Sequence, residues 1–422
     1  MFNLNLEVGN YGAVHSALHR LFGFADGAEK YFAYRICVPV LGTSSDDVLN
    51  GAPEDRNCIL GLAGSDEITG DGSLTVRYGV PGTLSGSRDL LAGNSGDDTM
   101  FGDGKVNLES GGVGTLEGAD DWLFGNGGDD DMYGDGTVYC SFADGTLHGG
   151  DDMIDAGHGD NTVRGDGTMS ILRSFAVLSG GDDWIVARNG NDTLYGDGSA
   201  RTLTGGDDTL ASFAGDDVLW GDGEAWAILN GGDDRMLAGR GADILYGDGI
   251  ANGVYVTFDA VLTGGNDQLN GGRGDDQLYG DGMASGAFVA ATLAGGDDIL
   301  RGGRGDDDMW GDGSVSTSGN TTATFVGGAD TFVLRAKDGL DTIHDFRSSD
   351  GDTVKVCRTR LDWSDLDSNG SGVLDDGDAF VASDGTDTSI DLGAASGRSD
   401  AGLNVLLLLD TIGLTEDDFM FT

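Results

Sequence analysis

The sequence predicts an all-β fold, a parallel β-roll or β-solenoid, and three observations carry that prediction. Of 422 residues, 78 are Gly and only 3 are Pro, a composition that suits tight turns and disfavours helices, which lose about 1 kcal/mol per interior Gly. The tripeptide GDG recurs at a near-constant spacing. Between these tripeptides, short apolar segments alternate with Gly and Asp. One such unit cannot bury its apolar face alone, but stacked units can.

The GDG tripeptide marks a long repeat. Its gaps are 32, 32, 31, 31, 25, 26, 33 and 31 residues, so one segment of the repeat varies in length while the rest is fixed. The spacing predicts about nine wide coils of about 31 residues each. The central residues of the tripeptides are Asp71, Asp103, Asp135, Asp166, Asp197, Asp222, Asp248, Asp281 and Asp312.

Two nine-residue units precede each GDG, as in residues 262–282, which read LTGGNDQLN, GGRGDDQLY and GDG. The sixth position is nearly always Asp and the eighth is apolar, which predicts an Asp turn followed by a short strand with one inward side chain. Coils stacked about 4.8 Å apart place these carboxylates above one another, where they repel unless a divalent cation binds between them. The paired sixth positions are Asp89/Asp98, Asp121/Asp130, Asp152/Asn161, Asp183/Asp192, Asp208/Asp217, Asp234/Asp243, Asp267/Asp276 and Asp298/Asp307.

The formal net charge is −50, from 73 acidic and 23 basic residues. This charge opposes binding to nucleic-acid phosphates and to anionic membrane surfaces. No apolar run approaches the 18 or so residues of a transmembrane helix, and no basic and apolar N-terminal leader is evident. Self-repulsion on this scale predicts a bound counter-ion, and carboxylates favour a hard divalent cation.

The pattern resembles the RTX (repeats-in-toxin, hemolysin-type) calcium-binding nonapeptide GGxGxDxUx, which residues 271–279 match at every specified position. The resemblance covers residues 42–345 and implies a β-roll in which the first six residues of each unit hold Ca²⁺ through the Asp carboxylate and backbone carbonyls. It implies several calcium ions. The expected ligands are the GDG and sixth-position Asp residues named above, with Asn161 as a departure, together with Asp66, Asp330 and Asp341.

The segments after each GDG depart from a plain 18-residue roll. Examples are TVYCSF at 137–142 and VYVTFDAV at 254–261, which are rich in β-branched and aromatic residues. We interpret them as an added strand or hairpin that widens each coil; the alternative is a row of exposed loops.

Aromatic residues recur at the ninth position of the second unit. Stacked coils would bring them into one row, which is either a binding ladder for polysaccharide or an internal stack. The row contains Phe101, Tyr133, Tyr195, Trp220, Tyr246, Tyr279 and Trp310 and is interrupted by Arg164.

Three segments are expected: an N-terminal cap (1–41), the repeat solenoid (42–345) and a β-rich C-terminal cap (346–422). The N-terminal segment suggests a short helix and a strand, with His15 and His19 on its surface. Cys37 and Cys58 are a possible disulfide. Residues 365–376 fit an EF-hand-like calcium loop, with Asp365, Asp367, Asn369 and Asp376 as side-chain ligands and Ser371 as a carbonyl ligand.

The final residues, NVLLLLDTIGLTEDDFMFT, resemble the uncleaved C-terminal signal of RTX proteins exported by type I secretion; a capping strand is the alternative. No GxSxG, HExxH or Walker-type motif occurs, so we do not expect an enzyme. The leading hypothesis is a secreted, extracellular or cell-surface calcium-binding solenoid with a structural, surface-layer, matrix or adhesive role. Its expected partners are calcium, the secretion apparatus, and further copies of itself or cell-surface polysaccharide. A calcium-dependent glycan- or protein-binding module is the alternative.

Overall fold

The computed structural model describes residues 37–422 except 54, 141, 172–174, 254–257, 320, 336, 398–401 and 403. The helix expected near the N-terminus, with His15 and His19, lies outside the described residues. Nearly all regular structure is β-strand, arranged in three long sheets that wind together as a solenoid. The all-β solenoid prediction is therefore confirmed.

Sheet A contains 13 strands that pair in parallel from coil to coil. Leu123, for example, pairs with Leu91 one coil before it and with Ile154 one coil after it. The second residue of the typical strand is a large apolar side chain that points inward and is fully buried. The strands are Val38–Leu41, Asn57–Leu60, Leu90–Ser95, Trp122–Gly127, Met153–His158, Trp184–Asn189, Thr209–Ala211, Arg235–Arg240, Gln268–Arg273, Ile299–Arg304, Thr331–Arg335, Thr353–Cys357 and Phe419–Phe421.

Sheet B contains 14 strands, most of them three residues long with one inward side chain, such as Met132 or Leu278. They are parallel until the last two pairings, which are antiparallel. The strands are Val48–Asn50, Glu67–Thr69, Thr99–Phe101, Asp131–Tyr133, Thr162–Arg164, Thr193–Tyr195, Val218–Trp220, Ile244–Tyr246, Gln277–Tyr279, Asp308–Trp310, Leu340–Ile343, Val405–Leu408, Thr388–Asp391 and Val381–Ser383.

Sheet C is built from the segments that follow each GDG. Its 16 strands form two parallel ladders. The first ladder contains Gly72–Val76, Gly104–Leu108, Gly136–Cys140, Gly167–Ile171, Gly198–Thr204, Gly223–Asn230, Gly249–Gly253, Gly282–Ala287 and Gly313–Ser318. The second contains Gly82–Ser85, Val113–Glu117, Asp144–His148, Ala176–Ser179, Ala260–Thr263, Ala291–Ala294 and Ala323–Val326.

Each full coil encloses two separate apolar cores. Sheets A and B face each other across the first core, which we call the first lobe. The two ladders of sheet C face each other across the second core, the second lobe. A Cβ built on Gly145, in the second ladder, would meet the side chains of Cys140, Val138 and Met169 in the first ladder, so the two ladders approach closely at this position and leave no room for a side chain.

The second lobe explains the variable segment of the repeat. Strands Gly198–Thr204 and Gly223–Asn230 each run through both ladders without an intervening loop. These are the coils with the two short gaps of 25 and 26 residues. In the longer coils a loop joins the two ladders, and its tip exposes apolar side chains such as Phe142 and Phe288. Where they are described, the post-GDG segments thus form strands; of the predicted strand at 254–261, residues 254–257 lie outside the described residues and the strand Ala260–Thr263 contains only its last two residues.

The C-terminal segment continues the first lobe rather than forming a separate layer. Strands Thr353–Cys357 and Phe419–Phe421 extend sheet A, and Val405–Leu408 extends sheet B. Helices Trp363–Leu366 and Leu392–Ala395 and the 3₁₀ turn Glu416–Asp418 connect these strands. At the other end, a disulfide joins Cys37 to Cys58, so the pair that the sequence left open is bridged.

Candidate calcium-binding rows

Three rows of buried Asp run along the solenoid, one residue per coil in each row. The first row holds the sixth-position Asp of each first unit, and the third holds the GDG Asp; both lie at the waist between the two lobes. The second row holds the sixth-position Asp of each second unit, at the turn from sheet A to sheet B. Every sixth-position and GDG residue predicted as a ligand, with Asp66, Asp330 and Asp341, is buried.

In the first row, each carboxylate is tied to the coil before it. Asp121 Oδ1 accepts the backbone N–H of Asp89 at 2.6 Å, and Asp152 Oδ1 accepts that of Asp121 at 2.6 Å. The same bond repeats to Asp330, whose Oδ1 accepts the N–H of Asp298 at 2.9 Å. The second oxygen, Oδ2, is buried and has no hydrogen-bond partner among the described residues, at Asp121, Asp152, Asp183, Asp208, Asp234, Asp267, Asp298 and Asp330.

The second row repeats this arrangement. Asp98 Oδ1 accepts the N–H of Asp66 at 2.8 Å, and Asp276 Oδ1 accepts that of Asp243 at 2.9 Å. The other oxygen is again buried without a hydrogen-bond partner in the described part of the chain, at Asp66, Asp98, Asp130, Asp192, Asp217, Asp243, Asp276, Asp307 and Asp341.

Asn161 occupies one place in the second row. Its Oδ1 accepts the N–H of Asp130 at 3.0 Å, as an Asp would. Its Nδ2, however, donates to the carbonyl oxygen of Gly159 at 3.0 Å and to Asp192 Oδ1 at 2.9 Å. The amide therefore keeps the coil-to-coil bond and points a donor where the other coils have an open oxygen.

The third row faces the first across the waist. The GDG carboxylates accept turn N–H groups: Asp248 from Gly265 at 2.9 Å and Asp281 from Gly296 at 2.8 Å. One oxygen is buried without a hydrogen-bond partner, among the described residues, at Asp135, Asp166, Asp197, Asp222, Asp248 and Asp281.

Glycines at the waist bring carbonyl oxygens to the same place as these carboxylates. A Cβ built on Gly134 would collide with the carbonyl oxygen of Gly165 and with Asp152 Oδ2. The glycine one coil earlier, Gly102, has the same surroundings, with the carbonyl of Gly134 and the carboxylate of Asp121. Only Gly fits there, because the space beside it is lined by oxygen atoms of two successive coils.

Burial raises the pKa of these carboxyl groups, because the charged form loses its hydration. In the second row it raises the pKa of Asp130 and of Asp276 to about 7. In the first row it raises the pKa of Asp89 to about 8 and of Asp330 to about 9. At the centre of the waist, burial and then the neighbouring carboxylates hold the pKa of Asp183 well above its usual range.

The donors of the waist and the turns fit calcium. Within the described chain, no group of three or more His, Cys, Asp or Glu side chains is gathered as a metal site. Ca²⁺, however, takes six to eight oxygens and accepts backbone carbonyls beside one or two carboxylates. Apart from the Asn161 turn, most of the described turns supply open carboxylate oxygens and, at the waist, carbonyl oxygens.

Sequence reasoning missed two further sets of Asp. The fifth position of many units is an exposed Asp whose carboxylate accepts the N–H one coil later, as Asp97 does from Asp129 at 3.0 Å. The doubled DD of each unit was the available signal. The first and third rows also continue past the repeats: Asp352 Oδ1 accepts the N–H of Asp330 at 3.0 Å, and Asp345 Oδ1 accepts that of Gly311 at 2.7 Å.

The EF-hand-like loop is only partly assembled as expected. Asp367 and Asn369 lie together, because both accept the N–H of Ser371, at 2.9 and 2.7 Å. Asp365 instead caps the helix Trp363–Leu366 by accepting the N–H of Asp362 at 3.0 Å.

Asp376 also lies apart from the Asp367 and Asn369 pair, because its carboxylate accepts the N–H of Ser383 at 2.6 Å. Asp378 closes the loop in its place: it is buried and accepts the N–H groups of Asn369 at 3.0 Å and Asp375 at 3.1 Å. The structure thus joins two of the four expected side chains of this loop, with Asp378 as the third member.

The aromatic row on the outer face of sheet B is an internal stack. Tyr246 and Tyr279 have ring centroids 4.8 Å apart, and Tyr279 and Trp310 have centroids 4.4 Å apart. His344 extends the row, 3.9 Å from Trp310, with its Nε2 2.8 Å from Asp308. Since the ring faces lie against one another, only their edges are open along the row, whereas a sugar stacks on a face.

Comparison with known proteins identifies the repeats. The family described as RTX calcium-binding nonapeptide repeat (4 copies) matches residues 85–104, 117–136, 178–206, 202–225, 228–249, 262–282 and 294–314. No curated protein matches the chain. Among the described residues, no helix has the length and apolar character needed to cross a membrane. The matched segments contain turns that carry the buried Asp rows, so the chain contains RTX calcium-binding nonapeptide repeats in these segments.

Proposed function

We propose that this chain is a secreted solenoid that folds when it meets calcium outside the cell and then serves a structural, surface-layer, matrix or adhesive role. The proposal rests on the hydrogen bonding of the buried carboxylates. Each typically bonds a backbone N–H through one oxygen and leaves the other buried without a hydrogen-bond partner among the described residues. A charged group in that position is costly unless it is paired.

Bound calcium would neutralise the rows and fill the open oxygens of the first, second and third rows. The chain's own part is to hold those oxygens in place. The coil-to-coil bonds, such as Asp98 to Asp66 at 2.8 Å, fix each carboxylate against the neighbouring turn. A ligand that binds only the folded state stabilises it by mass action. Where calcium is scarce, the net charge of −50 keeps the chain expanded.

Two features support an extracellular location. The Cys37–Cys58 disulfide suits an oxidising compartment, since cytosolic thiols stay reduced. Millimolar calcium is also an extracellular condition, and rows of this length need many ions. Export by a type I system remains part of the proposal. The C-terminal residues resembling such a signal also form strands Val405–Leu408 and Phe419–Phe421, which cover the end of the first lobe.

Circular dichroism during a calcium titration tests the proposal. Protein freed of calcium at pH 7.5 should give a coil spectrum, and added Ca²⁺ should produce β-structure cooperatively. Mg²⁺ at the same concentration is the control, because it demands near-ideal octahedral geometry and keeps its waters. A circular dichroism spectrum that does not change across the titration would contradict the proposal. Electron microscopy of the same samples then tests the structural role, since only self-association gives layers or filaments.

A further inference from the structure

Nine basic residues gather on the outer face of the C-terminal half of sheet A and its adjoining turns. The whole chain has only 23 Lys and Arg residues against 73 acidic ones, so this concentration is unusual. Eight of the nine are Arg. We call this set the cationic patch: Arg235, Arg240, Arg273, Arg301, Arg304, Arg335, Lys355, Arg358 and Arg360.

Three of these residues form a line along the solenoid. Arg240 pairs in register with Arg273, and Arg273 pairs with Arg304. Parallel strands lie about 4.8 Å apart, so the line offers one guanidinium per coil at that spacing. All three side chains are exposed.

A second group lies beside the line. Arg301 and Arg335 point outward from their strands, because the adjacent Leu300 and Leu334 fill the core. Burial lowers the pKa of Arg301, and the positive charges of Arg335 and Arg358 lower it further. The Nε atoms of Arg301 and Arg335 are buried and have no hydrogen-bond partner among the described residues. These cations therefore repel one another and leave donors unused.

The patch is not neutralised by its own surroundings. In the described chain, none of its nine members forms an ion pair within 4.0 Å, whereas Arg77, Arg88 and Arg188 elsewhere each pair with a carboxylate. Burial raises the pKa of Asp338 to about 6, and its carboxylate accepts the backbone N–H of Arg335; Arg301, Arg335 and Arg304 lie close enough to act against the rise. Among the described residues, the patch thus presents nine positive charges without a directly paired carboxylate.

We propose that the cationic patch binds a linear acidic polysaccharide through its carboxylate or sulfate groups. The guanidinium fork matches the geometry of both groups. The five strands from Arg235–Arg240 to Thr353–Cys357 span four coil spacings, about 19 Å. A chain laid along the Arg240, Arg273 and Arg304 line would meet one cation per coil. The proposal goes beyond calcium-dependent folding and requires only that the protein be folded.

Two observations favour a polysaccharide over a nucleic acid. Exposed carboxylates flank the line, including Asp275 and Asp306, and these would repel a wide polyanion such as a duplex. Single-stranded nucleic acid is usually held by aromatic stacking platforms. The outward positions of strands Gln268–Arg273, Ile299–Arg304 and Thr331–Arg335 carry no aromatic side chain.

Fluorescence anisotropy with labelled dextran sulfate and labelled polygalacturonate tests the proposal, in calcium and at two salt concentrations. The parent should bind one or both polymers, more weakly at higher salt. The variant Arg240→Ala/Arg273→Ala/Arg304→Ala should lose at least about tenfold in affinity, or about 1.4 kcal/mol. The matched control Arg77→Ala/Arg88→Ala/Arg188→Ala removes the same charge elsewhere and should change affinity less than about twofold.

Several outcomes would overturn the assignment. They are no binding by the parent, equal losses in both triple variants, or stronger binding to labelled oligo(dT) than to either polysaccharide. Self-association that the patch variant abolishes, without polysaccharide binding, would assign the patch to a second copy of the chain instead. Circular dichroism of every sample separates these results from a failure of calcium-dependent folding, since an unfolded sample tests neither.

Discussion

Acid should replace calcium as the agent that folds this protein. The perturbation is a fall in pH from 7.5 to 5 with calcium removed by dialysis and ion-exchange resin. The second-row carboxyl groups have a pKa raised by burial to about 6 at Asp98 and Asp192 and to about 7 at Asp130, Asp243, Asp276 and Asp307. In the unfolded chain the same groups titrate near 3.8.

The sign follows from proton linkage. A carboxyl group whose pKa is higher in the folded state binds its proton there first, so it contributes full stability below about pH 4. That contribution is lost as the pH rises through the folded pKa of 6 to 7. A shift of one pKa unit corresponds to 1.36 kcal/mol. The fall from pH 7.5 to 5 therefore increases the free energy of unfolding by on the order of 10 kcal/mol for the six groups together. A typical domain is stable by about 5–15 kcal/mol, so a contribution of this size is comparable with the whole stability of the fold.

The assay is circular dichroism with light scattering, which detects precipitation as the pH approaches the pI of about 4.1. We expect coil at pH 7.5 and soluble β-structure at pH 5, both without calcium. In saturating calcium the spectrum should be β at both pH values. A calcium-free chain that stays coil at pH 5, or that is already folded at pH 7.5, would refute the reasoning that buried carboxylate charge is the barrier.

Three substitutions test the rows and the core separately. Asp276→Asn should raise the calcium concentration at the folding midpoint several-fold, because it keeps the acceptor for the backbone N–H but loses the charged ligand. The control Asp275→Asn, at the exposed neighbour, should shift this concentration little. Equal shifts would contradict the second-row assignment. Asn161→Asp should increase bound calcium measured by atomic absorption, and an unchanged stoichiometry would mean that this turn lacks the other donors. Leu278→Ala should cost about 2–5 kcal/mol in urea unfolding with calcium present, whereas Gln277→Ala on the outer face should cost under about 0.5 kcal/mol.

Much of the fold was predictable because the repeat is so regular. The eighth position of each unit is apolar and lies two residues after the Asp of the turn, and this regularity places Leu278 and Met309 inside the first lobe. The Asp at the sixth position, two residues after the Gly of the fourth position, marks the turn. Both signals are local in sequence, so no long-range information was needed to place Asp267 or Asp276 in a buried row.

The second lobe was harder to predict. TVYCSF reads as strand from its β-branched and aromatic residues, but nothing local says that Val138 will face a second ladder across a separate core. That arrangement depends on small residues such as Gly145 on the opposite strand. It also depends on pairing with other coils, which a single segment does not encode.

The EF-hand-like loop illustrates a different difficulty. Oxygen-bearing side chains stand at every second position, at Asp365, Asp367, Asn369 and Ser371, so a loop that starts at Asp367 fits as well as the predicted loop that starts at Asp365. Helix capping decided between them, since Asp365 bonds the N–H of Asp362. The loop therefore assembles around Asp367 and Asp378, a register that composition and spacing alone did not distinguish.

The unequal lengths of the two lobes limit how copies could join end to end. Sheet C begins at Gly72–Val76 and ends at Gly313–Ser318, whereas sheet A starts one strand earlier and runs three strands further. Two molecules stacked end to end along a common axis would thus be in contact through their first lobes. Their second lobes would be separated by about four strand spacings, or roughly 20 Å. As far as the described residues show, collinear stacking would leave a notch beside the second lobe, whereas side-by-side association would allow a continuous layer.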